Sequence, residues 1–292
     1  MHTPVLLHEV IELLDPKPGA FIIDGTFGGG GHSKMILEKI GPQGKLLAID
    51  LEEAAILKNG EEVCELPNMI CVHSNFAKLP EVLKEQHLPL ADGLLLDLGF
   101  SSNQIENSGK GFSFQKDELL IMTYNDADEP VYKLLARLPE EEIERVIQEY
   151  GEERYARKIA QAIVARRASG RFVKTSKELA ELVQKVVPNN YEHGRIHPAT
   201  RTFQAFRIYA NHELENVNTV LRQLNQIIKS GGRVAIISFH SLEDRLVKHS
   251  LREAKKEGRV ELVTKKSVRP SLEEVKSNPR ARSAKLRVAI II

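Results

Sequence analysis

A run of four glycines is the first feature of the sequence that could do chemistry. Gly28–Gly31 lies inside "FIIDGTFGGGGHSKMIL", residues 21–37, between an apolar segment and a helical pattern. Glycine permits positive φ and lets a ligand approach the backbone closely, and the N–H groups at the start of a helix attract an anion. The run therefore predicts a ligand-binding turn for a phosphate, a dinucleotide or a phosphate-free nucleoside.

The residues beside the glycine run separate these ligands. A triphosphate-binding loop needs a lysine after its last glycine, and His32 stands there instead. A nicotinamide dinucleotide site needs Gly-x-Gly-x-x-Gly, a pattern that is completed from neither Gly25 nor Gly28. S-adenosylmethionine has no phosphate, and the glycines would make room for its methionine and ribose parts.

Two aspartates lie where the same ligand would be held. Asp50 ends the second predicted strand, and its carboxylate can accept both hydroxyls of a ribose. NAD sites use an acid in the same place, so this feature does not separate the two cofactors. Asp97, in "GLLLDLGFSS", ends the fourth predicted strand among leucines that make an unpartnered carboxylate costly to bury. Ligands of open α/β sheets bind beyond the carboxyl ends of the strands, so we expect both aspartates to face the glycine run.

The elements that position these residues alternate at the start of the chain. Apolar segments at 20–24, 45–50, 68–73 and 93–98 are typical of buried strands, and helical patterns separate them. This alternation predicts a parallel, doubly wound sheet. From about residue 102 to 210 amphipathic helices replace the strands, and strand patterns return at 233–239, 260–264 and 286–292. We therefore predict one α/β domain, residues 1–104 and 211–292, interrupted by an all-helical domain at 105–210.

Composition limits the class of protein. The 292 residues are 42% hydrophobic and 28% charged, which is globular, and no apolar run reaches the roughly 18–20 residues that cross a bilayer. The start lacks the basic flank and cleavage site of a secretory signal. Two cysteines are too few for a disulfide framework or a Cys-rich metal site. We therefore expect a reduced, cytoplasmic enzyme.

The net charge of +1 conceals two basic segments. Residues 151–210 and 251–292 each contain 12 Lys/Arg against 5 Asp/Glu, whereas residues 101–150 contain 5 against 11. Basic segments on a near-neutral chain indicate a polyanion partner that is recognised locally. Solvated helix faces are the alternative interpretation, and charge alone does not separate the two.

Eight segments together resemble one family. In chain order they are "HTPVLLHEV" (2–10), "DGTFGGGGHS" (24–33), "DLGFSS" (97–102), "GFSF" (111–114), "YGEER" (150–154), "HPATRTFQAFRI" (197–208), "ISFHSLEDR" (237–245) and "NPRARSAKLR" (278–287). They are similar to motifs of the ribosomal RNA small-subunit methyltransferase H family, which methylates N4 of a cytidine in 16S ribosomal RNA. The resemblance implies a class I methyltransferase domain with an inserted helical domain. It also implies S-adenosylmethionine as cofactor and the 16S ribosomal RNA of the small subunit as partner.

The resemblance further implies which residues form the site. The cofactor contacts fall on Gly30, Gly31 and His32 in the loop, Asp50 at the ribose, Phe76 near the adenine, and Asp97 and Gln104 beyond the fourth strand. Asp97 is the first candidate to bind the target amino group and receive its proton. His240, after the fifth strand, is a second candidate base or a contact to the target nucleotide, and Ser238 shares the latter role. Glu243 and Asp244 fit the first turn of the following helix.

Aromatic and basic residues are the expected RNA contacts. Phe112 and Phe114 could stack on unpaired bases, and packing beneath the inserted domain is the alternative. Arg280, Arg282, Lys285 and Arg287 form a dense basic cluster suited to phosphates, and Arg195, Arg201 and Arg207 form a second. The inserted domain is accordingly expected to take part in RNA recognition.

One segment departs from the family. Ile121, Thr123 and Asn125 stand where the family usually has aspartate, arginine and aspartate, so a catalytically impaired RNA-binding or ribosome-assembly protein is an alternative hypothesis. A nicotinamide-dependent oxidoreductase is a further alternative, against which the incomplete glycine pattern argues. The sequence suggests no metal site, and it is compatible with a homodimer.

Overall fold

The computed structural model describes residues 4–60, 64–99, 108–194 and 196–292, and the chain divides into two compact units. Unit 1 comprises Met1–Gly99 and Leu214–Ile292, and unit 2 comprises Phe100–Glu213. The chain therefore leaves unit 1 after its fourth strand and returns before its fifth. These boundaries lie close to the ones expected from the sequence at residues 104 and 211.

Within the described residues, a seven-stranded sheet forms the centre of unit 1. Its strands are β1 (Phe21–Asp24), β2 (Lys45–Asp50), β3 (Met69–His73), β4 (Ala91–Asp97), β5 (Ile228–Ser238), β6 (Val260–Leu262) and β7 (Lys285–Ile291). Their order is β3-β2-β1-β4-β5-β7-β6; β1 to β5 are parallel, and β7 is antiparallel to both of its neighbours. The predicted fold class, α/β with a mostly parallel seven-stranded sheet and an inserted helical region, is confirmed.

The strand order reverses between β1 and β4. The chain proceeds from β1 through β2 to β3 on one side, and from β4 to β5 on the other. Asp97, at the end of β4, is opposite Ile237 of β5. In an open α/β sheet a crevice lies beyond the carboxyl ends of the strands at such a reversal. Asp24 and Asp50 end β1 and β2 at the same edge, so three aspartates border this crevice.

Helices take up most of the remaining chain. Before unit 2 they are α1 (Leu7–Leu14), α2 (Gly31–Ile40), α3 (Glu53–Gly60) and α4 (Leu79–Glu85). Unit 2 contains α5 (Val131–Arg137), α6 (Glu140–Gly151), α7 (Ala156–Ala168), α8 (Ser176–Val186) and α9 (Thr200–Ala210). The chain then forms α10 (Glu213–Arg222), α11 (Leu224–Ile227), α12 (Ser241–Lys256) and α13 (Leu272–Ser277).

Unit 1 buries its sheet on both faces. Ile23 and Leu94 belong to one apolar cluster, with Leu251 of α12. Ile22 and Leu95 belong to the other, with residues of α1 and α2. Parallel strands covered on both faces are continuous apolar runs, which is why the sequence pattern locates them.

Unit 2 has an apolar core of its own, in which Phe206 of α9 is fully buried. The segment that departs from the family runs through this core. Leu120, Met122 and Thr123 are all buried there. Thr123, which stands where the family usually has arginine, is therefore an interior packing position in this chain.

The two cysteines differ from expectation. Cys64 and Cys71 form a disulfide, with their Cα atoms 5.8 Å apart, instead of being reduced. The bond joins the segment before β3 to β3 itself. The two cysteines are seven positions apart in the sequence, and the turn between them, which the sequence pattern does not specify, brings them together. As for membranes, the described helices include none with the length and apolar character needed to cross one.

Candidate functional site

The loop between β1 and α2 is bonded to the strands on both sides. The Gly25 N–H donates to the Leu95 carbonyl oxygen of β4 at 2.9 Å, and the Phe27 N–H donates to the Ile49 carbonyl oxygen of β2 at 2.9 Å. A Cβ at Gly25 would lie 2.6 Å from Leu96 Cδ2, so a side chain at this position would require the Leu96 side chain to move. The loop therefore lies close against the edge at which β1, β2 and β4 end.

Glycine is required in this run for two different reasons. Gly28 and Gly30 have positive φ, 52° and 72°, a conformation that residues with a side chain rarely adopt. Gly31 begins α2, and a Cβ there would overlap the ring of Pro4. Gly28 and Gly30 shape the turn, whereas the absence of a side chain at Gly31 makes room for the N-terminal segment.

Asp50 is held against this turn. Its Oδ2 accepts a hydrogen bond from the Gly28 N–H at 2.7 Å, and its Oδ1 accepts one from the Glu52 N–H at 2.9 Å. Burial raises the pKa of this carboxyl, although the two backbone hydrogen bonds oppose the shift. Each oxygen keeps a second lone pair. Asp50 is therefore suited to accept hydroxyl groups of a ribose.

Asp97 contacts the same loop from the other side. Its N–H donates to Thr26 Oγ1 at 2.7 Å, which fixes the end of β4 to the loop. Its carboxyl Oδ1 is buried and has no hydrogen-bond partner among the described residues. Burial raises the pKa of Asp97 well above its ordinary value, and the nearby charges of Asp24 and Glu243 add to the shift. A buried acceptor without a partner is the kind of atom that a ligand or substrate satisfies.

Asp24 is a third acid at this edge and is fully buried, although its position was not singled out from the sequence. Its Oδ2 accepts from Ser33 Oγ at 2.7 Å, and its Oδ1 accepts from the Thr26 N–H at 3.1 Å. Burial raises the pKa of Asp24 to about 6. Its position at the end of β1 is the signal that could have identified it, because Asp50 and Asp97 end their strands in the same way.

His32 lies between the N-terminal segment and Asp97. Its Nε2 is 3.0 Å from the Val5 carbonyl oxygen, which can only accept, so Nε2 carries the hydrogen. Its Nδ1 is 3.7 Å from Asp97 Oδ2. The ring is buried. His32 thus lies beside Asp97 and is hydrogen-bonded to the N-terminal segment.

His240 is the N-cap residue of α12. Its Nδ1 accepts from the Glu243 N–H at 3.4 Å, while Glu243 Oε2 accepts from the Phe239 and His240 N–H groups at 2.8 and 3.3 Å. This reciprocal pair is a capping box. The predicted helical first-turn role of Glu243 is confirmed, and His240 has a structural role at the edge of the site.

Ser238 and Phe76 both contact neighbouring residues of unit 1. Ser238 is buried, and its Oγ donates to the Lys285 carbonyl oxygen at 3.4 Å between β5 and β7, so we do not retain it as an RNA contact. Phe76 begins a short 3₁₀ turn, Phe76–Lys78, after β3, and its Cβ is near Gly25 at the loop. Gln104, the remaining expected cofactor contact, lies outside the described residues.

The two phenylalanines expected to stack on RNA bases contact aromatic residues of unit 2 instead. The Phe112 ring stacks on Tyr124 with centroids 5.4 Å apart, and the Phe114 ring stacks on His197 at 4.2 Å. Both pack against the core of that unit. These contacts favour the alternative interpretation, in which the two residues are structural.

Arg207 is not placed to bind RNA. Its guanidinium is buried and donates from Nε and Nη2 to the two carboxylate oxygens of Glu213 at 2.8 and 2.9 Å. A buried guanidinium that makes a bidentate pair with a carboxylate is not available to a phosphate, and we correct that expectation. Arg201 donates to the Glu152 carbonyl oxygen at 3.3 Å, and Arg195 lies outside the described residues.

The basic cluster near the C-terminus is partly engaged within the chain. Lys285 Nζ and Arg287 Nε donate to Asp244 of α12 at 3.0 and 2.8 Å. Arg280 and Arg282 are exposed on the 3₁₀ turn Pro279–Ser283. Of the expected phosphate contacts in this cluster, the two exposed arginines are the best placed.

Comparisons with known proteins identify the family of this chain. The MraW methylase family model matches residues 1–292. A "Ribosomal RNA small subunit methyltransferase H" of Trichlorobacter lovleyi is 44% identical, with 99% of this chain and 97% of that protein covered. Proteins of the same name from Caldicellulosiruptor saccharolyticus and Nitrosospira multiformis are 44% and 43% identical, covering 98% and 96% of those proteins and 99% of this chain. The resemblance found in the sequence motifs is thereby confirmed, and the chain belongs to the MraW methylase family and is a methyltransferase.

Proposed function

We propose that this protein transfers the methyl group of S-adenosylmethionine to N4 of a cytidine in the 16S ribosomal RNA of the small subunit. One observation carries the proposal. Asp50 and Asp97 bind the same loop, through Gly28 N–H at 2.7 Å and Thr26 Oγ1 at 2.7 Å. This arrangement combines a ribose acceptor with a buried, unsatisfied carboxyl at one sheet edge. The names of the relatives support ribosomal RNA as the acceptor.

The residues present fit the cofactor. Asp50 would accept the ribose hydroxyls, Phe76 would border the adenine, and the side-chain-free turn at Gly28 and Gly30 would admit the methionine part. When bound, S-adenosylmethionine supplies an electrophilic methyl group. The Gly-x-Gly-x-x-Gly pattern of a pyrophosphate-binding turn is completed from neither Gly25 nor Gly28. This agrees with a phosphate-free nucleoside and argues against the nicotinamide alternative.

Asp97 is the residue that we assign to the chemistry. The lone pair of a cytosine amino group is delocalised into the ring, so an acceptor for its N–H increases its nucleophilicity. Asp97 Oδ1 has an unfilled position for that hydrogen bond, and a raised pKa makes the ionised carboxylate a stronger base. Positioning the amino nitrogen in line with the methyl group supplies the rest of the rate enhancement.

The RNA is recognised by charge on both units. In unit 1 the exposed Arg280 and Arg282 are suited to phosphates. In unit 2 the exposed Arg157 and Lys158 of α7 lie in the basic segment 151–210, and they support the assignment of this unit to RNA recognition. Contacts of this kind bind the backbone without reading sequence.

Transfer of isotope-labelled methyl groups to small ribosomal subunits tests the proposal. Subunits unmodified at the target are incubated with the protein and labelled cofactor, and the product nucleotide is mapped by mass spectrometry. We expect one N4-methylated cytidine in 16S ribosomal RNA. Cofactor binding without any label transfer would contradict the proposal and favour the catalytically impaired RNA-binding protein.

A further inference from the structure

A shallow groove between α12, β6 and β7 carries basic residues that the site does not use. Lys248 and Arg252 of α12, Lys265 after β6, and Arg287 of β7 line it, and Leu251, Leu262 and Thr264 complete its surface. None of these lining residues is acidic. The groove belongs entirely to unit 1.

Three of these cations are uncompensated. Among the described residues, the side chains of Lys248, Arg252 and Lys265 have neither a hydrogen bond nor an ion pair. Arg287 differs, because it donates to Asp244 at 2.8 Å. Neighbouring positive charges without a counter-charge repel one another. An anion bound between them would remove this repulsion.

The shape of the groove fits an extended, charged chain. Lys248 and Arg252 are four residues apart and therefore adjacent on one face of α12. Leu251, which is buried, and Leu262 supply apolar surface along which the long basic side chains can extend while their charged ends stay exposed. No aromatic residue lines the groove for a base to stack on. These features favour a phosphate backbone over unpaired bases.

The groove begins next to the site. His240 caps α12 at the crevice, and Asp244 in the first turn holds Lys285 and Arg287. At 1.5 Å per residue, Lys248 and Arg252 lie roughly 10 and 17 Å along the helix from its start. A backbone that follows this groove would therefore lead away from the target nucleotide.

We propose that this groove binds the phosphate backbone of the RNA that carries the target cytidine. The inference rests on the proposed function for the identity of the RNA. Lys248, Arg252 and Lys265 supply the contacts, and they add to affinity without adding sequence specificity.

The test compares two triple variants that lose the same charge. Lys248→Gln, Arg252→Gln and Lys265→Gln are combined in one protein, and Lys39→Gln, Lys45→Gln and Lys84→Gln, at exposed lysines elsewhere in unit 1, are combined in the control. For each we measure the KM for small subunits, the salt dependence of 16S ribosomal RNA binding, and the affinity for S-adenosylmethionine.

The groove variant should show a KM about tenfold higher or more and a log–log salt slope reduced by roughly 2 to 3, with unchanged cofactor affinity. The control should match wild type. If the triple variant does not fold, single Lys265→Gln should reduce the slope by roughly 1.

Two outcomes would overturn the groove assignment, and a third would contradict the proposed function instead. An unchanged slope and KM would overturn it while leaving the proposed function intact. Normal binding to naked 16S ribosomal RNA with lost affinity for subunits would assign the groove to a ribosomal protein and also overturn it. A wild-type protein that binds subunits but transfers no methyl would contradict the proposed function, and the salt slopes would still decide the groove.

Discussion

Three acids at strand ends determine the chemistry at the scale of single residues; Asp24 is buried, and Asp50 and Asp97 are partly buried. Asp24, Asp50 and Asp97 all have raised pKa values, mainly because burial disfavours their charged forms. Such a group reduces the stability of the fold at neutral pH, since the unfolded chain ionises it freely. This loss of stability is expected where carboxylates are positioned to bind a cofactor and a target base.

Asp97→Asn should lower the activity and raise the stability of the protein. The amide keeps the shape of the side chain but cannot receive a proton, so we expect single-turnover methyl transfer to fall by roughly 10²-fold or more. The free energy of unfolding at neutral pH should increase, because an amide has no buried charge to destabilise the fold. Single-turnover label transfer and urea denaturation measure the two effects. Near-wild-type transfer would exclude Asp97 as the base.

Asp24 should make stability depend on pH. Below its ordinary pKa of 3.8 both states carry the proton; between 3.8 and about 6 only the folded state does, so rising pH favours unfolding. Relative to Asp24→Asn, wild type should lose about 3 kcal/mol between about pH 4 and pH 7. Urea titrations at both pH values measure this. Glu38→Gln, at an exposed position on α2, is the control and should follow wild type. Parallel curves for wild type and Asp24→Asn would contradict the burial argument.

The sequence identifies some of these residues and not others. Asp50 and Asp97 could be predicted because each follows a buried strand, and that position is visible in the pattern. The groups that hold them are Thr26 Oγ1 for Asp97 and the N–H groups of Gly28 and Glu52 for Asp50. These hydrogen bonds between strands and loops are not specified by any periodicity. The prediction that Arg207 binds RNA was wrong for a related reason, because a basic residue in a basic segment can still be buried against an acid.

At the scale of elements, α12 links the site to the basic groove. Its first turn is fixed by Glu243, which accepts from two backbone N–H groups at the edge of the crevice. Its first turn also carries Asp244, which holds Lys285 and Arg287 of β7. A substitution that removes this cap should therefore lower the free energy of unfolding.

Glu243→Ala should destabilise unit 1 by about 1–3 kcal/mol, because two N–H groups lose their acceptor in a buried setting. Glu243→Gln should recover most of that loss, since glutamine also serves a capping box. Glu253→Ala, exposed on the same helix, should change stability by less than about 0.5 kcal/mol. Chemical denaturation compares the three variants. Equal destabilisation by alanine and glutamine would show that the charge, and not the cap, is responsible.

Elements were predicted with uneven success. The buried strands at 20–24, 45–50 and 93–98 match β1, β2 and β4 because both faces of the sheet are covered. β5 begins at Ile228, earlier than the expected 233, because Ile228 pairs with Ala91 of β4 before a shift in register. The three residues that follow Ile228 are exposed, so the apolar pattern does not reveal this part of the strand. The disulfide was not expected, because spacing alone does not place two cysteines together.

At the scale of the whole chain, two units with separate cores explain the break in the strand–helix alternation. Unit 2 buries Phe206, Ile143 and Ile159 among its own helices. A segment with a complete apolar core can fold independently.

A protein consisting of residues 108–213 should accordingly fold alone, with a helical circular dichroism spectrum and a cooperative thermal transition. Phe206→Ala should abolish that transition, since it removes a buried aromatic side chain at a cost of about 3–5 kcal/mol. Thermal melts followed by circular dichroism measure both. A non-cooperative melt of the unsubstituted segment would show that unit 2 depends on the rest of the chain.

The claim on which the account depends is that the turn after β1 and the carboxylate at position 50 hold a nucleoside without phosphates. Calorimetric titration of the wild-type protein and Asp50→Ala with S-adenosylmethionine and with NAD measures this directly. We expect S-adenosylmethionine to bind wild type, about tenfold or more weaker binding to Asp50→Ala, and no binding of NAD to either. Binding of NAD, or equal affinity of the two proteins for S-adenosylmethionine, would contradict the account.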